Sequence, residues 1–563
     1  MSFQEQIIST DLLVVGAGIA GLTAVQEVVK QDIQAVAVFA GAGASPGIMG
    51  FNAALAEKDS RDIYFKDTML AGCGLNNRAL VWIMVDEAES ALKELETKGL
   101  VFDKKEGRYD QLQALGCSYP RVVHDKNVTG PRAIELMTKE IENSSNIKML
   151  KGVSVAGLLT KENKITGALG LDKANSKVII FNCKAIILAT GGCGRVYSFT
   201  TYPAEALGHG YAMAYEAGAE LVDMEFIQFE PCVLVYPDKL RGFGMITTLL
   251  SEGGQLRNIK GERFMERYCP EAEKTQKDIL ARAIYEEIQA GRGTENGGVY
   301  FDVSMLSSRY IEEKYPSYLS RLLSAGIDMR SEPFEVALAA HSCMGGIKIN
   351  EKCETSVKGL YAAGETAGGV HGANRIGGNA GTEVFVFGRR AGKYAAEYIL
   401  SEKKDDLSAK MITGQEKQIN KQFLNHAAEK KGIYKQFLNP DIDNPQNPDI
   451  IKSEIQDIMS EYANIVRDKA GLKKALNCLT EVKDKITSRI SANNITELMK
   501  AYQVKNMAVT SEIIVKSALT RTESRGAHYR KDFPERDDKE WLKNVVIRKV
   551  NGKSQTKSVK TEG

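Results

Sequence analysis

Apolar residues recur along this chain with two different periods. Residues 11–15 (DLLVV) form a short unbroken apolar run, the pattern of a strand buried on both faces. Residues 22–30 (LTAVQEVVK) carry apolar positions at helical spacing, and 35–39 (AVAVF) form a second apolar run. GAGIAG, residues 16–21, stands between the first run and the helix. Together they predict a strand–turn–helix–strand unit of a parallel sheet. Residues 184–192 (KAIILATGG) predict a later strand ending in a second glycine turn. Residues 76–99 predict a long amphipathic helix stopped by Gly99. Helical spacing recurs at 277–291 and at 383–400, the latter a helix returning to the first domain. Residues 414–515 read as a bundle of polar helices, broken by NPDIDNPQNPD (439–449). The last residues, NGKSQTKSVKTEG, have almost no apolar content and are expected to fray.

The chain has 563 residues, room for about three or four domains. At 43% hydrophobic and 26% charged it has an ordinary globular composition. A net charge of +2 offers no footing for nucleic acid or for an anionic membrane. No apolar run approaches the roughly 18 residues of a membrane span. The first residues lack a basic region followed by an apolar core, so a cytoplasmic protein is expected, reaching a membrane face only through partners. None of the nine cysteines forms a C-x-x-C pair. No metal or iron–sulfur site is expected from this chain alone, and the dispersed cysteines read as reduced thiols, most of them in the core.

Glycines cluster between His341 and Asn379, around Glu365 and Arg375, and no apolar period runs through them. Such density fits backbone wrapped around a large flat ligand. The earlier G-x-G-x-x-G follows an apolar run and opens a helix, the context in which a pyrophosphate meets free N–H groups. Gly16, Ala17, Gly18, Ala20 and Gly21 are its candidate contacts. An acidic residue is expected at the end of the second strand for a ribose, yet Phe39-Ala40-Gly41-Ala42 stands there. Glu365, in the distant glycine-rich segment, can serve a ribose from the other half of the fold. A ligand spanning both halves is long, and FAD fits better than NAD.

At this point the sequence resembles the flavoprotein subunits of the succinate dehydrogenase and fumarate reductase family, to which L-aspartate oxidase and thiol-dependent fumarate reductase also belong. The matching pieces include VVGAGIAGL (14–22), FNAAL (51–55), ATGG (189–192), MEFIQFEP (224–231), KGERFMERY (260–268), AHSCMGGI (340–347), GLYAAGE (359–365), HGANRIGGN (371–379) and ESRGAHYRKDFPERDD (523–538). The resemblance implies an α/β fold: a Rossmann-like FAD-binding domain (1–228 and 346–410) split by an inserted α+β capping domain (229–345). A C-terminal helical domain (411–530) and a C-terminal extension (531–563) follow. It implies further FAD contacts from Ala40, Gly41, Gly50, Asn52, Ala53, Ala189, Thr190, Gly191, Gly192, His209, Asn379, Ala380 and Gly381. It also implies a separate iron–sulfur protein exchanging electrons with the flavin, either as a lone partner subunit or within a membrane-anchored or multi-subunit redox complex.

In the family, the HxxMGG and HGANR motifs supply dicarboxylate ligands, here His341 and Arg375. Arginine offers a fixed bidentate fork for a carboxylate, and histidine a donor that can be charged. Other positions depart from the pattern. The QFHP histidine is Glu230 here. The T-E-G-x-R-G proton relay aligns with Ile246–Ser251, where Thr247 and Leu250 cannot carry protons as an acid and a base would. The general-acid arginine aligns with Lys277. Fumarate reduction places a hydride on one carbon and a proton from a positioned acid on the next. Glu230 opposes a dianion by like-charge repulsion, and hints at a substrate with one neutral or cationic end. No histidine precedes Gly50 in the segment 43–50, so FAD is expected to be non-covalent. His209 stands where the family has an aspartate. The default reading is a fumarate/succinate oxidoreductase. The alternatives are an electron-transfer flavin subunit that has lost dicarboxylate chemistry, or a reductase of another small carboxylate.

Overall fold

The structure is a computed structural model that describes residues 3–126, 128–413, 436–438, 442 and 445–561. Its centre is a five-stranded parallel sheet in the order Leu360–Ala362, Ala185–Leu188, Leu12–Val15, Ala35–Phe39, Ile147–Lys151. The strands LLVV and AIIL are buried at every residue, as unbroken apolar runs require. The helix Ile19–Val29 packs against the helix Asn379–Thr413. Glycines make that approach possible. A Cβ on Gly388 would lie 2.5 Å from Ala20 O, and one on Gly392 would lie 2.2 Å from Ala24 O. The predicted return of the 383–400 helix to the first domain is thus a glycine-notched helix pair. The amphipathic segment 76–99 forms the helix Arg78–Thr97, whose first turn is capped by the Asn77 side chain accepting from Leu80 N.

An inserted unit carries its own antiparallel sheet, ordered Ile227–Leu234, Phe334–Cys343, Val299–Asp302, Gln255–Arg257. Its core is separate from the main one and includes Leu256, Phe264, Leu280, Ile284, Phe301 and Phe334. The strands that enter and leave the insert pair with each other, Ile227 opposite Cys343. Both crossings between the two units therefore lie side by side.

Beyond the insert, helices Pro448–Tyr462, Lys469–Arg489 and Ile495–Thr520 pack together. Asn447, Asp468 and Asn494 cap their N-termini. The third helix departs from the polar bundle expected of 414–515: it is buried on nearly every side, from Ile495 to Ala518. The stretch 414–435 of that expectation lies outside the described residues. Three buried arginines tie this region to the rest. Arg521 Nε meets Glu225 Oε1 at 2.7 Å, Arg467 donates to Glu225 O at 2.7 Å, and Arg525 donates to Cys73 O at 2.9 Å; a fourth, Arg530, donates within the region to Ala518 O at 2.9 Å.

The expected fraying of the last residues is overturned. Lys553–Lys560 pairs along its whole length with Lys543–Val550, which also pairs with Leu221–Val222. The hairpin completes a five-stranded sheet with Gly346–Lys348 and Ala367–Gly368. Asn551 and Gly552 both adopt positive φ, 50° and 78°, which a tight hairpin turn requires. The last strand is an edge: its lysines discourage further pairing, and the backbone ladder holds it without much apolar burial.

Candidate active site

Six separated segments meet at the top of the parallel sheet. Gly16 (φ +105°) ends the first strand so close to the next that a Cβ on it would lie 2.2 Å from Ala189 O. A Cβ on Gly21 would lie 1.9 Å from Gly16 O, so the turn and its helix also demand glycine. Gly18 precedes the helix, whose Ile19 N–H donates to Ser45 Oγ at 2.9 Å. Ala20 faces Gly364 from the far half of the chain. Thr190 Oγ1 lies 3.1 Å from Thr366 Oγ1, which itself donates to Gly191 O at 3.1 Å. Asn52 Nδ2 donates to Gly377 O at 2.8 Å and to Asn379 Oδ1 at 2.6 Å. Gly381 lies against Gly50 O and Ala380 follows Asn379 at the start of the long helix, while Ala53 N donates to Arg121 O at 3.0 Å. Ala40 and Gly41 are exposed beyond the second strand, with Gly41 beside Glu205. His209 opens the helix His209–Glu216 next to Thr190, and burial lowers its pKa to about 4.

This arrangement fits FAD. It presents a glycine turn at a helix N-terminus, a second turn at 189–192, and open space where a side chain on Gly191 (φ +70°) would point. Asn52 Oδ1 is buried with no protein partner, a polar atom left over for a ligand. Glu365, the expected ribose contact, engages the protein through one oxygen. Its Oε1 accepts from Cys343 N at 2.9 Å and from the Tyr202 hydroxyl. Burial pushes its carboxyl pKa up, against those two donors.

The four candidate catalytic residues share one cluster where the insert meets the FAD-binding region. Glu230 comes from the entering strand, His341 from the leaving strand, Lys277 from the first turn of the helix Lys277–Glu287, and Arg375 from the glycine-rich segment. Lys277 Nζ meets Glu230 Oε2 at 2.7 Å. His341 Nε2 lies 3.7 Å from the same oxygen, and its Nδ1 is 2.9 Å from Thr201 Oγ1. Arg375 Nε donates to Ser342 Oγ at 3.1 Å. Burial works to raise the Glu230 pKa, but Lys277, His341 and Arg375 outweigh it and hold the carboxyl below its ordinary value. Burial lowers the His341 pKa to about 4; Glu230 opposes that, and Arg375 and Lys277 add to it. At neutral pH the cluster thus sets the Glu230 carboxylate and a neutral His341 imidazole beside the Lys277 and Arg375 side chains.

The relay positions do not join it. Leu249 and Leu250 pack in the core of the insert, and Thr247 is buried beside them. Sequence reasoning missed three residues. Gln228 donates to Asn374 Oδ1 at 2.7 Å and to Arg375 O at 3.1 Å, and so fixes the loop that carries Arg375. Ser342 orients the guanidinium. Tyr202 links Glu365 to Cys343. Gln228 sits in the quoted MEFIQFEP piece; Tyr202 carries no local signal.

The chain matches the FAD binding domain family over residues 11–380 and the fumarate reductase flavoprotein C-terminal family over 452–562. It is 38% identical to one subunit of the CoM/CoB fumarate reductase of Methanothermobacter marburgensis, covering 97% of this chain and 98% of that one. It is 32% identical to an L-aspartate oxidase of Acinetobacter baylyi, covering 96% of each. The fold superposes on the flavoprotein chain of the E. coli quinol fumarate reductase with a TM-score of 0.90 at 27% identity, covering 99% of this chain and 97% of that one. These matches run through both glycine turns, the insert and the C-terminal helices, and the chain belongs to the succinate dehydrogenase and fumarate reductase flavoprotein family of FAD-dependent oxidoreductases.

Proposed function

We propose that this chain is the flavoprotein of a fumarate reductase-like enzyme, exchanging electrons with a separate iron–sulfur protein in the cytoplasm or on the cytoplasmic face of a membrane-anchored complex. The resident FAD is held without a covalent tether, and when bound it supplies the hydride chemistry. Arg375, oriented by Ser342, takes one carboxylate of the substrate. Neutral His341, held by Thr201, donates a hydrogen bond to the same or a neighbouring oxygen. Lys277 Nζ is the proton donor to the carbon next to the one that receives the hydride.

The single observation that carries this reading is the convergence of Lys277, His341 and Arg375 around Glu230, with Lys277 Nζ 2.7 Å from Glu230 Oε2. It supports a second reading of the substrate as well. Glu230 cancels one of the two cations, so a small carboxylate with one neutral or cationic end suits the cluster better than a dianion. The kinship with an L-aspartate oxidase accords with that.

The test is an anaerobic titration of the flavin spectrum with fumarate, succinate and L-aspartate. A saturable shift with at least one of them is expected. No perturbation by any of them at millimolar concentration sinks the carboxylate reading and leaves a flavin module for electron transfer. Acid precipitation is expected to release all yellow colour to the supernatant; colour in the pellet contradicts a non-covalent cofactor.

A further inference from the structure

Seven of the nine cysteines are buried, and two of these bring their sulfurs into contact beside the FAD-binding turn. Cys193 directly follows the glycine turn 189–192, and Cys343 lies two residues beyond His341. Their Sγ atoms are 3.1 Å apart, roughly 1 Å beyond the ~2.05 Å of a formed disulfide. Cys353, equally buried, instead faces a backbone oxygen, Phe387 O, at 3.6 Å. We propose that Cys193 and Cys343 are a redox pair that closes to a disulfide, with the resident FAD as its electron acceptor and donor.

The surroundings favour such a cycle. Cys343 Sγ accepts the Cys193 N–H at 3.3 Å and lies 3.6 Å from the Tyr202 oxygen, so the sulfur that becomes the attacking thiolate faces one donor and one proton acceptor. Tyr202 in turn donates to Glu365 Oε1, and Cys343 N donates to both the Tyr202 oxygen (3.1 Å) and Glu365 Oε1 (2.9 Å). A proton leaving Cys343 can pass to the Tyr202 oxygen while the Tyr202 proton passes to Glu365. The hydrogen bond to Cys343, together with burial, holds the Cys193 thiol well above its ordinary pKa, so Cys193 rests as a neutral thiol until electrons are withdrawn.

Burial selects the oxidant. Cys193 is 0% and Cys343 2% exposed. The space around Cys193 is filled: a Cβ on Gly208 would lie 2.9 Å from Cys193 Cβ. A small disulfide or a peroxide cannot line up with either sulfur without opening the fold, because exchange requires in-line access to the sulfur. An oxidised flavin in the adjoining cradle would reach a sulfur from inside the fold, with no path from solvent needed. In the forward step two S–H bonds break and one S–S bond forms. The flavin takes both electrons and one proton, and Glu365 takes the second proton. Reduction runs the same steps backward. The pair thereby stores a second pair of electrons next to the first.

The test uses the FAD-loaded full chain. The air-oxidised holoprotein is denatured in N-ethylmaleimide without reductant, and its peptides are mapped by mass spectrometry. A Cys193–Cys343 cross-linked peptide is expected, and it should vanish when dithionite precedes denaturation. Anaerobic dithionite titration, followed by flavin absorbance and by alkylated thiol count, is expected to take up twice the electrons per FAD in the parent as in Cys193→Ala. Full alkylation of both cysteines in the air-oxidised protein overturns the proposal, and so does equal electron uptake by parent and variant. Should Cys193→Ala fail to hold FAD, the peptide map of the parent alone decides.

Discussion

Replacing Glu230 with Gln removes the one negative charge from the candidate site while preserving its shape. Glu230 is 5% exposed and lies 2.7 Å from Lys277 and 3.7 Å from His341. A substrate carboxylate held by Arg375 and His341, with Lys277 at the neighbouring carbon, therefore comes within roughly 4–5 Å of Glu230, where like charges at an effective dielectric near 20 repel by about 3–4 kcal/mol. Part of that is offset, because Lys277 released from Glu230 also becomes available to solvent. The expected net gain for a dianion is about 1.4–2.8 kcal/mol, a tenfold to hundredfold tightening. Flavin absorbance titrations with fumarate and with the monoanion crotonate measure it. Fumarate, with two carboxylates to repel, should tighten more in Glu230→Gln than crotonate, with one. Lys277→Met alone leaves a buried carboxylate without its cation, a loss on the order of 3–5 kcal/mol of stability, and adding Glu230→Gln should recover most of it. Unchanged or weaker fumarate binding by Glu230→Gln, with the flavin spectrum intact, would refute the electrostatic reasoning.

Other outcomes follow from the same geometry. Gly392→Ala puts a Cβ 2.2 Å from Ala24 O across the helix pair, so the helices must separate. A destabilisation of about 1–3 kcal/mol in urea unfolding is expected, and an unchanged midpoint contradicts that packing. The folded pKa of His341, about 4, lies below the ordinary 6.5, so the unfolded chain binds the extra proton first as pH falls. Its contribution to stability is full above pH 6.5 and is lost between there and about pH 4. Carboxylate affinity should show no His341 inflection near neutrality, and one that disappears in His341→Gln argues for a solvated, chargeable ring. Deleting residues 551–563 strips one strand from a five-stranded sheet and bares the ladder of Lys543–Val550. Faster amide exchange in 543–550 is expected, whereas unchanged exchange fits a tail that adds nothing.

Much of the fold was legible because its signals are local. An apolar run, a glycine turn and a helical period lie within consecutive residues, so 11–39 announced the dinucleotide unit. The last hairpin was still misread, because its strand is held by backbone pairing to Lys543–Val550 and, through it, to Leu221–Val222, far away in sequence. Apolar content says little about an edge strand of that kind. Similarly, the burial of Ile495–Thr520 on nearly every side depends on what surrounds it, which its own period does not encode.

For the site, the residue types His341, Arg375, Glu230 and Lys277 stood in motif pieces of the sequence. Their mutual arrangement did not. Glu230 and Lys277 are 47 positions apart, and Cys193 and Cys343 are 150. The pairing of Ile227–Leu234 with Phe334–Cys343 shifts register twice, between Gln228 and Phe229 and between Glu230 and Val233. In a strand, a shift of one residue turns a side chain to the opposite face. The sequence by itself determined the cofactor class and the kinds of chemistry available. Only the tertiary structure decided that Glu230 neutralises Lys277 and that two buried sulfurs meet, because those depend on strand register and on contacts between segments that the chain brings together only when it folds.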